Sequence, residues 1–145
     1  GMPMLAGDTW DSNVITEAAK GKSNIDLYVT TFYQEGGNAE FDAAFKEWIN
    51  SDSVNLENNG GNDMIAAVSV MGYDAYYVAL EAIKAAGSAD PAAVLEALPT
   101  VNYNGITGNI SFADGAKDAT RDVAFIKYCN TETAVWDLIG EQGIE

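Results

Sequence analysis

The chain has 145 residues, 48% of them hydrophobic, a length that gives one domain, or a piece of a larger one, with enough apolar side chains for a sizeable core. Its 22 acidic residues outnumber 7 basic ones for a net charge of −15, so it cannot neutralise phosphates, which excludes nucleic acid and anionic membrane surfaces as partners. It has no histidine and one cysteine, Cys129, which excludes Cys/His zinc sites, Ser-His or Cys-His nucleophiles and an internal disulfide.

Met4-Leu5-Ala6 is a short strand candidate that stops at Gly7. Asp8, Thr9 and Trp10 follow at once, and Asp11, Ser12 and Asn13 each offer an N-cap for a helix whose apolar face is Val14, Ile15, Ala18 and Ala19. Gly21 closes that helix, and Ile25 to Phe32 is rich in β-branched and aromatic residues and reads as a strand. Strand, helix and strand within about thirty residues make a βαβ unit. Phe41, Ala44, Phe45, Trp48 and Ile49 recur at helical spacing, and Ser51 to Asp63 carries the longest loop signal.

From Met64 onward, apolar residues step by three and four through Val68, Met71 and Val78 to Gly87, so residues 64–86 are expected to form the longest helix. Asp90-Pro91 opens the next helix with a cap and a proline at its first position. The last third changes period. Gly105 to Phe112 suits a strand with glycine kinks, Asp114-Gly115 a turn, Val123 to Tyr128 a strand and Ala134 to Ile139 another. The expected fold is α/β, a βαβ front with an antiparallel C-terminal hairpin. Asp114 to Asp118 hints at a cation loop but lacks the alternating oxygen ligands of an EF-hand, so a solvated turn is expected and no metal site. Cys129 lies in an apolar strand-like run and reads as a small buried hydrophobe. No 18-residue apolar run and no basic-then-apolar leader occurs, and Gly1-Met2 reads as a tag remnant ahead of a start codon.

Three segments, in order, carry a resemblance: GDTWDS at 7–12, GYDAYYVALEAIKAAGS at 72–88 and YNGITGNISFADGAKDATRDVAFIKY at 103–128. They resemble the C-terminal portion of solute-binding proteins of the branched-chain amino acid ABC transporter family. The third follows that family's F-x-G-x-T-G-x-I-x-F-D-x-x-G pattern, with Tyr103 in place of phenylalanine and Ala113 in place of aspartate. The resemblance implies part of a two-lobed type I periplasmic-binding fold. In it, 4–31 and 105–139 are elements of the C-terminal lobe and the helices of 39–98 belong to the other lobe. Family members are more than twice as long, so residues 1–145 read as a C-terminal fragment of one.

The resemblance also implies a site. In the family an acid at the turn after the first strand takes the ammonium of an amino acid ligand, and Asp8 is the matching residue. The competing role for Asp8 is to cap the following helix. Thr9 is placed to bond ligand or backbone, and Trp10 either walls an apolar side-chain pocket or simply packs. Val68 and Ser69 match the positions ahead of the long helix that touch ligand, although helical periodicity also puts Val68 in a core. Asp74 is expected to order local structure. The implied function is extracytoplasmic capture of an amino acid or similar small solute for an ABC permease. It needs no cofactor and no catalytic residue, in a periplasmic or extracellular location with an anchor N-terminal to this chain.

Two other readings compete: a truncated relic that self-associates and binds nothing, and a glycoside hydrolase using a carboxylate pair, for which Asp8 and Asp11 are the nearest acids. Phe41, Phe45, Trp48, Met64, Val68, Met71 and Val78 carry wide apolar faces on the 39–49 and 64–86 helices. Those faces imply a homo-oligomer with the 39–98 helices at its interface, domain-swapped through a hinge at 51–63.

Overall fold

A computed structural model describes residues 2–112 and 118–143. The Asp114–Lys117 part of the turn considered for a cation lies outside the described residues. The chain divides into two compact units. One is formed by residues up to Ser69 together with Ala124–Gln142, and the other by Val70–Val123 with Gly143.

The first unit is built on a four-stranded sheet. Strand β1 (Met2–Ala6), helix α1 (Asn13–Ala19) and strand β2 (Ile25–Thr31) form the expected βαβ unit, with β1 and β2 parallel from Met2 opposite Ile25 to Ala6 opposite Val29. Strand β5 (Val123–Asn130) runs antiparallel to β2, with Tyr28 opposite Tyr128 and Thr31 opposite Phe125. A tight turn leads to β6 (Val135–Gly143), giving the order β1-β2-β5-β6. Ala19, Leu27 and Cys129 are buried together beneath Met4, Ile15, Ile25 and Trp136. Burial, and after it the Asp137 charge, raise the pKa of the Cys129 thiol, so the cysteine is an inert core residue, as its neighbours imply.

Helix α2 (Ala39–Asn50) starts where the Asn38 side chain accepts the Phe41 N–H at 2.9 Å, a side-chain cap that satisfies one of the orphan donors. Its apolar stripe is only partly covered: Phe41 and Ile49 are buried, Phe45 is half-buried and Trp48 is 57% exposed. The segment 51–63, expected as a loop, contains a further helix, α3 (Ser53–Asn58). Asp52 makes it possible by accepting the Val54 N–H at 2.8 Å. The asparagine and glycine content that signalled a loop is concentrated after it, where Gly60 and Gly61 take positive φ of 77° and 80°.

The long helix α4 (Ala67–Ala86) has 20 residues and is the longest, spanning about 30 Å. It begins three residues later than the periodicity predicts. The Asn62 side chain accepts the Met64 N–H at 3.0 Å and the Asn59 amide donates to the Met64 carbonyl at 2.9 Å. Those bonds hold Met64 outside the helix. Gly87 at φ 61° ends α4, and the Asp90 carboxylate caps α5 (Pro91–Ala97) by accepting the Ala92 and Ala93 N–H groups.

In the second unit Gly105 to Phe112 is not one kinked strand. It is the bend of a hairpin, β3 (Asn102–Gly105) and β4 (Gly108–Ser111), folded at Ile106-Thr107. Gly108 at φ 101° makes the fold-back possible. Val78 and Ala82 of α4 pack with Val101 and Ile110 to form this unit's core, flanked by Val94, Leu98, Tyr103 and Phe112.

These units are contact groups within this chain, drawn independently of the lobes that the resemblance implies. Residues 39–69 share a unit with the sheet, and the 102–112 hairpin shares one with α4 and α5. The hairpin groups with the helices because its own two strands are too small to fold alone and its buried faces meet Val78 and Ala82.

Candidate functional site

Gly7 releases the chain from β1 into a single 3-10 turn, Asp8–Trp10, closed by the Trp10 N–H donating to the Gly7 carbonyl at 3.1 Å. The turn lies beyond the carboxyl end of a parallel strand, where open α/β sheets bind ligands. Asp8 is half-buried, Thr9 is exposed, and Trp10 is 42% exposed. Among the described residues the Asp8 side chain has no hydrogen bond or ion pair. Its backbone carbonyl accepts the Asp11 N–H at 2.9 Å.

The acid with a structural task is Asp11. It is 1% exposed, and its carboxylate takes both the Lys127 ammonium, at 2.9 and 3.1 Å, and the Thr31 hydroxyl, at 2.9 Å. Lys127 comes from β5 and Thr31 from the end of β2, so one carboxylate ties the turn after β1 to the next two strands of the sheet. A buried charge is tolerable only when paired and hydrogen-bonded. Here both conditions hold. Asp11 therefore does not cap α1, as the sequence suggests, and cannot partner Asp8 across a glycan.

The other two expected caps are also used differently. Ser12 occupies the cap position of α1 without a side-chain hydrogen bond. The Asn13 amide instead donates to the Gly60 carbonyl at 3.0 Å. The sequence signal for the Asp11–Lys127 pair was available in principle, since Lys127 is a lone cation inside the apolar run VAFIKYC. Such a lysine needs an acid, but the chain has 22 of them and nothing local selects Asp11, which lies 116 residues away.

Val68 and Ser69 lie in the first turn of α4. Val68 is 46% exposed and Ser69 half-buried, so the core placement that periodicity gives Val68 does not hold. The buried face of α4 is Ala67, Val70, Asp74, Val78 and Ala82. Asp74 occupies that stripe because the hairpin satisfies it. Its carboxylate accepts the Ile106 N–H at 2.9 Å, the Thr107 N–H at 2.8 Å and the Thr107 hydroxyl at 2.6 Å. The Tyr77 ring stacks on Tyr103 of β3 at 6.1 Å. The tyrosine-aspartate-alanine start of the helix and the glycine-threonine-glycine bend are thus two halves of one lock, and Asp74 has a structural role.

Among the described residues no group of three or more acids or cysteines is arranged to hold a metal ion, and no helix is long and apolar enough to cross a membrane.

The sequence profile of a family described as periplasmic binding protein matches residues 1–132. Among solved structures the chain is similar to the leucine-binding protein LivK from Thermotoga maritima, with a TM-score of 0.63 and 29% identity over 97% of this chain. The chain spans 37% of the length of that protein. Among curated protein sequences none matches.

Proposed function

The chain belongs to the periplasmic binding protein family, and from that premise we propose that it takes part in capturing a small solute, an amino acid, for import by an ABC permease. The observation that carries the reading is Asp8: a carboxylate without a partner among the described residues, on a turn anchored by a buried ion pair. An amino acid ammonium offers three donors to such an acceptor, and a charge-assisted bond in a partly desolvated place is strong. Trp10 offers aromatic area for an apolar side chain and Thr9 a hydroxyl for the ligand carboxylate. Val68 and Ser69, both with accessible surface, are proposed as further contacts. The work is done by binding and release, with no catalytic residue and no cofactor, outside the cytoplasm in the periplasm or at the cell surface. We assign residues 4–31 and 105–139 to the C-terminal lobe of the family's fold and the helices of 39–98 to the other lobe.

Calorimetric titration with a panel of amino acids, before and after Asp8→Ala, tests this. The expected result is saturable binding of at least one apolar amino acid that weakens tenfold or more in the variant. Affinity unchanged by the substitution removes Asp8 from the site. The competing reading, a self-associating chain that binds nothing, is favoured by exposed apolar residues on both outer strands of the sheet, Met2 and Leu5 on β1 and Leu138 and Ile139 on β6. A panel without any saturable heat would select it.

A further inference from the structure

The first unit holds a cavity of about 430 Å³ that shares no residue with the Asp8 turn. Its volume is within the roughly 300–1,000 Å³ of small-molecule sites. The side-chain oxygen of Gln34 is buried in its wall without a hydrogen-bond partner, while the same amide donates to the Glu35 carbonyl at 3.2 Å. A buried acceptor left unsatisfied costs on the order of 1–3 kcal/mol, so its natural complement is a donor brought by a ligand.

The charges agree with that polarity. Lys46 is the one charged partner of two carboxylates among the described residues, pairing with Glu35 and lying 4.0 Å from Asp63; Glu35 also accepts the Ile65 N–H at 3.3 Å and Asp63 the Asn50 amide at 3.1 Å. Lys127, the other cation of the lining, is already matched by Asp11. Glu17 adds a further acid at the rim, shared with Lys20 at 3.7 Å. The pocket therefore holds excess negative charge, while Ile65 and Trp136 supply an apolar wall.

We propose that this pocket is a second binding site, for a small organic cation that carries a primary ammonium on a short aliphatic body. The ammonium donates to Gln34 and to the Glu35–Asp63 carboxylates, and the aliphatic body lies against Trp136. An anion would meet like charge. Among the described residues no group of three or more acids or cysteines is arranged to hold a metal ion there.

Calorimetry with 1,4-diaminobutane on the whole chain provides the test. Gln34→Leu removes the acceptor at the loss of one hydrogen bond to Glu35, and Asp63→Asn removes a charge at a partly exposed position while keeping an oxygen for the Asn50 amide. Saturable binding is expected, weakened tenfold or more by both substitutions and unchanged by Asp8→Ala. That independence separates it from amino acid capture: failure of either titration leaves the other interpretable. If Gln34→Leu does not fold, Asp63→Asn decides alone. The proposal is overturned by the absence of saturable heat, or by binding as tight in both folded variants as in the parent. It is equally overturned by loss of binding in Asp8→Ala, or by magnesium chloride at matched ionic strength abolishing the heat, which would mean general screening of the acidic chain.

Discussion

Asp11 and Lys127 show how a single residue can set a site it does not line. With both groups almost wholly buried, removing one partner leaves an uncompensated charge, a loss of about 3–5 kcal/mol, whereas replacing both by apolar side chains of similar volume is near neutral. Asp11→Asn is therefore expected to be strongly destabilising, and the double substitution Asp11→Leu with Lys127→Met to recover most of that loss. Urea unfolding followed by tryptophan fluorescence checks it, because Trp10, Trp48 and Trp136 all lie in the first unit. A double variant no more stable than Asp11→Asn would refute the argument.

Tyr33 gives the same unit a pH dependence. Its hydroxyl donates to Asp42 at 2.5 Å, and the second Asp42 oxygen accepts the Gly36 N–H at 2.6 Å. Burial first, and then the Asp42 hydrogen bond and charge, raise the Tyr33 pKa well above the usual 10.0. The folded state holds this proton more tightly than the unfolded chain does, so the stabilisation is full below about pH 10 and is lost as pH rises toward the folded value. Lys46, whose pKa Glu35 raises, loses stability in the same direction. Melts recorded by tryptophan fluorescence from pH 8 to 12 should fall steeply for the parent and less steeply for Tyr33→Phe. Equal slopes would show that the proton on Tyr33 carries no such linkage.

At the scale of elements, the sequence announces what is periodic and hides what is held by asparagine and aspartate side chains. The βαβ front, α4 and the Asp90-Pro91 start of α5 follow from apolar spacing and capping chemistry, and the structure has them. Helix α3 was masked because its cap, Asp52, stands in a stretch whose composition reads as loop. The late start of α4 comes from Asn59 and Asn62 binding Met64, an interaction that no hydrophobic pattern encodes. For the site, the Asp8 turn is legible as a strand-to-helix boundary, whereas the pairing that anchors it joins residues 116 positions apart. The Asp74 lock is intermediate: both motifs are visible in the sequence, and their contact is not. It also explains Gly105, where an added Cβ would lie 2.5 Å from the Asp74 carboxyl carbon and 2.6 Å from each oxygen. Gly105→Ala must displace the carboxylate or the hairpin, an overpacking cost of about 1–3 kcal/mol. Faster hydrogen exchange at the Ile106 and Thr107 amides is expected, with the tryptophan-reported melt of the first unit unchanged. Protection equal to that of the parent would show that the hairpin can relax around the methyl group.

For the whole molecule the open question is where the exposed apolar surface goes. The faces of α2 and α4 are better covered within their own units than the sequence implies, since Phe41 and Val78 are buried and Phe45, Met64 and Met71 half-buried, leaving Trp48 and Val68 exposed. A swap hinged at 51–63 would moreover have to break the bonds that Asn59 makes to Asn62 and Met64. The outer strands of the sheet are the stronger candidates for self-association. Pro3 blunts β1, because proline cannot donate to a new ladder, but β6 closes the strand order and presents Val135, Leu138 and Ile139 at 46–55% exposure. The net charge of −15 opposes association at long range and is screened within about 10 Å at 0.1 M salt. Self-association through β6 is therefore expected to strengthen with added sodium chloride, opposite to an assembly held by ion pairs. Light scattering at micromolar concentration should show a mass above the monomer that rises with salt, and Ile139→Lys should return it to the monomer. A monomeric mass at every salt concentration would show that β6 needs no cover, and an unchanged oligomer in Ile139→Lys would move the interface elsewhere.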